Sequence, residues 1–346
     1  MQTPINPISG EWLPLLVQEH GIMENEALIF CKVMVMDKTA VVALGGNAIL
    51  RPGQRGTYAE QMENIQASCQ TLVQLVQDGY KLILTHGNGP QVGNLLIQNE
   101  CTAQTIPIQP LHSCVAQTQG QLGYMIQSSL DNIFKQRGLT VRTATIVTRV
   151  LVDAKDPAFE APSKPVGPFF SKEHAQARIE CGETWMNDSG RGWRRMVPSP
   201  IPQEIVELEI IRNTFDQCAV TIAVGGGGIP VIENDNQLIG IDAVIDKDLA
   251  SSLMARSLCI DSFIILTDVN NVKLNFGQPH EINLSELTVA EGERHIANGQ
   301  FGVGSMAPKV QAALEFVKST GHHALITSLT ELGTALKGKA GTVIRP

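Results

Sequence analysis

Apolar residues in this chain gather in short unbroken runs separated by longer amphipathic stretches. Thr39–Leu44, Lys81–Thr85, Val220–Val224, Ile264–Thr267 and Ala324–Ser328 are such runs. Runs of this length without polar alternation predict strands buried on both faces, as in a parallel sheet. Between the first two, Met62, Ile65, Cys69, Leu72, Val73 and Val76 recur at helical spacing. Thr57-x-x-Glu60 predicts a capping box at the start of that helix, and Gly79 a left-handed stop at its end. Two further helices are predicted by Val310, Ala313, Leu314 and Val317 after Pro308, and by Leu249, Leu253, Met254 and Leu258 after Asp246. Ile205–Arg212 is also expected to be helical. Strands alternating with helices give an α/β fold, with a mostly parallel sheet covered on both faces. Right-handed crossovers then bring the C-terminal ends of the strands to one edge.

Two segments break the rhythm. Residues 153–203 carry seven prolines and Trp185 and Trp193, and are expected to form an inserted small lobe. Residues 1–36, broken by Pro4, Pro7 and Pro14, lack the basic and apolar blocks of a targeting peptide. They are expected to be a loosely ordered extension before the folded unit.

Composition narrows the function classes. The chain has 346 residues, 43% apolar and 17% charged, which is ordinary for a globular protein with room for two lobes. Its net charge of −8 argues against non-specific nucleic-acid binding and requires any anionic ligand to meet a local positive field. No apolar run approaches the roughly 20 residues that span a bilayer. Seven cysteines without a C-x-x-C pair, and histidines without H-x-x-x-H spacing, point to buried thiols in a reducing compartment, hence a cytoplasmic protein.

Against that negative background, glycine-rich turns and lysines stand out. The turns are Gly45-Gly46-Asn47, Gly87-Asn88-Gly89-Pro90, Gly225-Gly226-Gly227-Gly228 and Gly302-Val303-Gly304-Ser305. A strand that stops in glycine and restarts as a helix aims backbone N–H groups at one spot, where an anion binds. Lys309 and Lys247 each fall in the opening turn of a predicted helix, where a cation opposes the helix dipole by roughly 0.3–1 kcal/mol. A phosphate at each helix start would explain both placements; a solvated lysine tolerating the penalty is the alternative. Asp248 is suited to hold the Lys247 ammonium by a charge-assisted bond. Lys164 sits on a proline-framed loop from which it could reach a cleft. Arg191, Arg194 and Arg195 with Trp193 form a basic aromatic knot, expected to hold the inserted lobe together. Two familiar nucleotide motifs fail. Gly333–Lys339 begins like a P-loop, but Ala340 replaces the Ser/Thr and too few residues follow for the helix. Gly87–Gly93 has its third glycine one position late for a dinucleotide turn, with no acidic residue about 20 positions on.

With these residues in view, the chain resembles the carbamate kinases of the amino acid kinase family. The runs that carry the likeness are Val41–Leu50, His86–Leu95, Lys164–Pro168, Gly190–Arg195, Gly225–Pro230, Ala243–Ala250 and Gly304–Lys309, in the family's order over about residues 37–346. The resemblance implies a three-layer αβα sandwich around a mainly parallel eight-stranded sheet, with a small protruding subdomain at about 153–203. It implies a carbamate-binding lobe over 37–220, a nucleotide-binding lobe over 221–346, and a homodimer. The implied reaction is reversible phosphoryl transfer between ATP and carbamate, with Mg2+ brought by ATP or ADP. Lys247 and Lys309 are then expected to neutralise the moving phosphoryl group, Asp248 to orient them, and Lys164 to serve the carbamate end. Gly45, Gly46, Asn47, Gly87, Asn88, Gly89, Gly226 and Gly227 are expected to wall the substrate pocket. Thr267, Asp268, Val269, Met306 and Lys309 are expected at the nucleotide. Another small carboxylate as acceptor, or a sensor of nucleotide or carbamoyl phosphate without catalysis, remain the competing readings. The extension over residues 1–36 has no counterpart in the family pattern.

Overall fold

A computed structural model describes residues 38–187, 192–302 and 306–346. The expected extension over residues 1–36, Gly190 and Arg191, and the Val303-Gly304-Ser305 part of the fourth turn lie outside the described residues. From Lys38 the chain runs through β1 (Lys38–Leu44), α1 (Tyr58–Gln77), β2 (Tyr80–His86), α2 (Gly89–Thr102), α3 (Leu111–Gln136), β3 (Thr143–Thr145) and β4 (Arg149–Val152). Next come β5 (Lys164–Phe170), α4 (Lys172–Glu180), β6 (Thr184–Asn187), β7 (Trp193–Val197), β8 (Pro202–Ile205), α5 (Leu208–Gln217) and β9 (Val220–Ile222). Then follow β10 (Ile229–Asn234), β11 (Gln237–Gly240), α6 (Lys247–Ser257), β12 (Ser262–Thr267), β13 (Val272–Leu274) and β14 (Ile282–Leu284). The chain closes with β15 (Glu286–Thr288), α7 (Val289–Ala297), α8 (Met306–Thr320), β16 (His323–Ser328), α9 (Leu332–Ala335) and β17 (Thr342–Arg345).

Eight strands form the central sheet in the order β15-β17-β16-β12-β1-β2-β9-β3, and only the β16–β17 pair is antiparallel. Alternation of side chains along each strand explains the layers. Val41 and Ala43 face one side with Ile83, Phe263 and Ile265, under α5, α6 and α8. Ala40, Val42 and Leu44 face the other side, under α1 and α3. Both faces are therefore dry, as the unbroken apolar runs require. Local signals fix the edges of α1: Thr57 and Glu60 close the capping box, and Gly79 has φ +89°. No helix among the described residues is long and apolar enough to cross a membrane.

Parallel pairing of Leu44 with His86, and of Leu84 with Ile222, brings the turns after β1, β2 and β9 to the same edge. That is the geometric consequence that matters for the site. Two expectations need correction. Ile205–Arg212 is not one helix: Pro202–Ile205 pairs with β4, and α5 begins only at Leu208. Glu207 fixes this break by accepting from the Arg149 backbone N–H at 2.6 Å and from its Nε at 2.7 Å. The run Val220–Val224 stops pairing at Ile222, because Val224 turns left-handed at φ +54°. Residues 153–203 divide between two sheets. Lys164–Val197 builds a separate three-stranded sheet (β5-β7-β6), whereas β8 joins β11-β10-β4.

Candidate functional site

The loop before α6 organises the charges. Asp246 caps the helix: its Oδ1 accepts from the backbone N–H groups of Asp248 at 2.9 Å and Leu249 at 3.3 Å. An aspartate in this position satisfies donors that have no partner within the helix. The cap sets the next two side chains. Lys247 Nζ donates to Asp248 Oδ1 at 2.7 Å, and Lys309 Nζ, from α8, donates to Asp248 Oδ2 at 2.8 Å. One buried carboxylate, 3% exposed, thus holds two ammonium groups from two helices. Small residues let α6 pack closely: Ser252 Oγ donates to the Ala312 carbonyl of α8 at 2.7 Å, and Ser251 shares a 2.7 Å hydroxyl pair with Thr85 of β2. The second oxygen of Asp246 accepts from Lys164 Nζ at 2.7 Å. Three lysines, distant in sequence, therefore sit on two carboxylates of one helical turn.

Burial disfavours ionisation of Asp248, but the two ammonium groups outweigh it and hold the carboxyl well below the usual range. For Lys247 burial wins, so its ammonium is pushed below the ordinary lysine value despite Asp248, with Lys309 repelling it as well. Burial also opposes the charge on Lys309, yet Asp248 more than offsets it and the net direction is upward. Lys309 is therefore the firmer cation of the two, and Lys247 the one whose charge depends on Asp248.

Glycine turns surround this centre, with different geometries. After β2, Gly89 opens α2 directly with Pro90 in its first turn, as a strand-turn-helix anion site requires. After β1 and β9 the chain makes only single 3-10 turns, Gly46–Ala48 and Gly225–Gly227, so no α-helix dipole stands behind them. The expectation of a helix after each turn is corrected there; what those turns offer is backbone N–H groups alone. Gly226 (φ +66°) and Gly227 (φ +92°) adopt left-handed backbone, and a Cβ on Gly226 would collide with the Asn88 amide. Only glycine fits that approach.

Residues of α3 that the sequence did not single out hold these turns in place. Thr118 Oγ1 accepts from Asn88 Nδ2 at 2.8 Å. Next to it, buried Gln119 donates to the carbonyls of Gly225 at 2.9 Å and Thr148 at 3.1 Å, and accepts from the Thr148 N–H at 2.7 Å. Thr148 Oγ1 in turn accepts from the N–H of Val224 at 3.0 Å. A β-branched residue in left-handed backbone stores strain, which these bonds over-determine. His86, 1% exposed, donates from Nδ1 to the Gly87 carbonyl at 3.1 Å. Burial pushes its pKa down to about 4, against the raising effect of that carbonyl, and Lys247 lowers it further. It is a neutral imidazole wedged under Gly225. No short motif announces Gln119, Thr148 or the second oxygen of Asp246, since each acts through a partner far away in the chain.

A cavity of about 920 Å3 opens at the same edge of the sheet. Gly45, Gly46 and Asn47 line one wall, and Thr267, Asp268, Val269, Met306 and Lys309 line others. Asp268 Oδ1 accepts from Thr267 Oγ1 at 3.0 Å. Lys247, Lys164, Gly87–Gly89, Gly226 and Gly227 are not part of that wall; Lys309 joins it to the Asp248 centre. Lys164 is the first residue of strand β5, rather than part of a loop. Arg194, by contrast, stays structural: it donates from Nε to the Gly167 carbonyl at 3.1 Å and lies over Phe169. Lysines, amides and a cavity arranged in this way suit transfer of a charged group better than attack by a protein nucleophile.

Comparison with known proteins bears on this geometry. The model of the amino acid kinase family matches residues 38–328. The carbamate kinase of Thermococcus kodakarensis is 49% identical over 311 residues, 89% of this chain and 99% of that protein. That of Trichomonas vaginalis is 48% identical over 310 residues, 88% of this chain and 99% of the relative. Among solved structures, carbamate kinase from Giardia lamblia bound to AMP-PNP superposes with a TM-score of 0.83 at 43% identity, covering 89% of this chain and 98% of that one.

Proposed function

The chain belongs to the amino acid kinase family, and to its carbamate kinases, and from that premise we propose that it catalyses reversible phosphoryl transfer between carbamoyl phosphate and ADP. In the ATP-forming direction the bond from phosphorus to the carbamate oxygen breaks, and one to the terminal oxygen of ADP forms. The observation that carries the reading is the Asp248 carboxylate holding Lys247 and Lys309, with Lys309 in the wall of the 920 Å3 cavity. Phosphoryl transfer passes through a loose, anionic transition state, so positioned charge does most of the work. In this reading Lys247 and Lys309 meet the equatorial oxygens of the moving group, and Asp248 fixes the angle between them. Each charge-assisted bond is worth ~1.5–3 kcal/mol. Lys164 serves the carbamate end, and the turns at Gly45–Asn47, Gly87–Gly89 and Gly226–Gly227 offer amides to the carbamoyl and phosphate oxygens. Thr267, Asp268, Val269 and Met306 line the nucleotide end. By the same division, 37–220 carries the carbamate lobe and 221–346 the nucleotide lobe.

Among the described residues, no group of three or more His, Cys, Asp or Glu side chains is placed to hold a metal, while Asp268 brings a carboxylate to the cavity wall. This set fits Mg2+ that arrives with the nucleotide, held by phosphate oxygens and water, with Asp268 as a nearby acceptor. Bound in that way, the ion spreads phosphate charge. The family likeness also supports a cytoplasmic homodimer running toward ATP. The unpaired thiols of the described residues are consistent with a reducing compartment.

A coupled assay for ATP formed from ADP and carbamoyl phosphate tests the proposal, with acetyl phosphate as the competing donor. Strong preference for carbamoyl phosphate is the expected result. Turnover with acetyl phosphate alone would move the assignment to another small carboxylate, and nucleotide binding without turnover would leave a sensor.

A further inference from the structure

Asp246 has a part beyond capping a helix. We propose that it is a positioning residue for the reaction, presenting the Lys164 ammonium to the Lys247–Asp248–Lys309 centre until an anionic substrate takes it over. The inference rests on the carbamate kinase reading above and deepens it.

The geometry divides the two oxygens of Asp246 between two tasks. Oδ1 is locked by two backbone donors of α6, at 2.9 and 3.3 Å, so the carboxylate cannot swing. Oδ2 is left at a fixed place, and Lys164 Nζ donates to it at 2.7 Å across 82 residues of sequence. The Asp246 side chain is 13% exposed and that of Lys164 31%, so the lysine keeps a way out to an incoming ligand. The ion pair is not what anchors the small sheet. That task falls to the Val244 N–H donating to the Pro198 carbonyl at 2.9 Å, and to Val166, Val197, Ile229 and Val244 packed in one cluster. With the backbone already tethered there, the Lys164–Asp246 bond serves to aim a side chain. It also solves an electrostatic difficulty. Three ammonium groups gathered with no anion bound would repel one another, and two carboxylates on one turn hold them together. When carbamoyl phosphate enters, its carbamate end replaces Asp246 as the partner of Lys164, and no cation has to be drawn in from bulk water.

Two substitutions separate this role from capping. Asp246→Asn keeps an oxygen at the cap but turns a donor toward Lys164. Asp246→Ser keeps a capping hydroxyl and removes the second oxygen, so either variant preserves the helix start. We expect each to lower kcat/KM for carbamoyl phosphate roughly tenfold or more, because a misplaced charge is costly in a preorganised site. KM for ADP should stay within about twofold of wild type. Combined with Lys164→Ala, Asp246→Asn should add no further loss, since its effect runs through that lysine. Normal kinetics for both single variants, or losses that multiply in the double variant, would overturn the proposal. Failure of the wild-type chain to use carbamoyl phosphate at all would instead count against the underlying reaction.

Discussion

Replacing Asp248 by Asn is the most direct test of the charge centre. The change is isosteric, so packing is kept while the negative charge between Lys247 and Lys309 disappears. At an effective dielectric of about 20, contacts of 2.7 and 2.8 Å are each worth about 6 kcal/mol of Coulomb attraction. Desolvation offsets much of this, and removing one member of a buried pair costs about 3–5 kcal/mol. The remaining cations then repel each other without compensation. Lys247, already pushed below the ordinary lysine value by burial, is the one that gives up its proton. Two results follow. ATP formation from carbamoyl phosphate should fall by ~10²–10³, the usual loss when a preorganised charge is removed. The alkaline limb of the pH–rate profile should move toward neutrality. The sign is fixed by the chemistry: the working form of Lys247 is the ammonium, present below its pKa and lost above it. A coupled ATP assay from pH 6 to 9, with thermal unfolding in parallel, measures both. Turnover of Asp248→Asn within about threefold of wild type, with an unchanged alkaline limb, would refute the idea that this carboxylate sustains the two cations.

Further outcomes follow from other parts of the site. Lys309→Ala should cut ATP formation by ~10²-fold or more, as loss of a charge at the reacting group does; near-normal turnover rejects its assignment. Lys164→Ala should impair use of carbamoyl phosphate more than binding of ADP, and equal losses in the two KM values count against its placement at the carbamate end. Gln119→Leu leaves the Thr148 N–H without an acceptor, while the Gly225 and Thr148 carbonyls keep the N–H groups of Gly228 and Ile229, so unfolding should require ~1–3 kcal/mol less, read from urea midpoints. An unchanged midpoint would mean that the turn does not depend on Gln119. His86 is held neutral, with its pKa lowered by burial from the ordinary 6.5 to about 4. A group with a depressed native pKa contributes stability that is complete above 6.5 and is lost as pH falls toward 4. This amounts to roughly 3 kcal/mol across that window, and His86→Gln should flatten it in urea titrations at pH 7 and 4.5.

The strands and the charged turns were legible in the sequence for the same reason: their signals are local. Unbroken apolar runs mark β1, β2, β12 and β16 because parallel strands are dry on both faces, and Thr57, Glu60 and Gly79 mark the limits of α1 by chemistry within one turn. Lys247 and Lys309 stood out because a cation at a helix start is misplaced unless something anionic meets it. What the sequence did not reveal is non-local. Ile205–Arg212 has a helical pattern, but pairing of Pro202–Ile205 with β4 overrides it. The 3-10 turns at Gly46 and Gly225 could not be told from helix starts by composition. Gln119 and Thr148 are ordinary polar residues until the fold sets them against Gly225 and Val224. Asp246 marked only a helix start in the sequence, since its lysine partner lies 82 residues away.

A structural reading of the same charges fails on energetic grounds. Buried ion pairs rarely stabilise a fold, since apolar residues of equal volume usually do as well or better. A core that spends Asp248, 3% exposed, on two lysines carries a desolvation cost without a folding gain to match. The count sharpens the point: Lys164, Lys247 and Lys309 on Asp246 and Asp248 leave one positive charge in excess, in a chain whose net charge is −8. Such an excess beside a cavity, with glycine N–H groups at the same sheet edge, makes physical sense when an anion completes it. In the proposed reaction, the phosphoryl group is that anion. If the proposed assignment holds, the energy of these charges is available to the transition state, where the oxygens of the moving group would make their closest demands on the lysines.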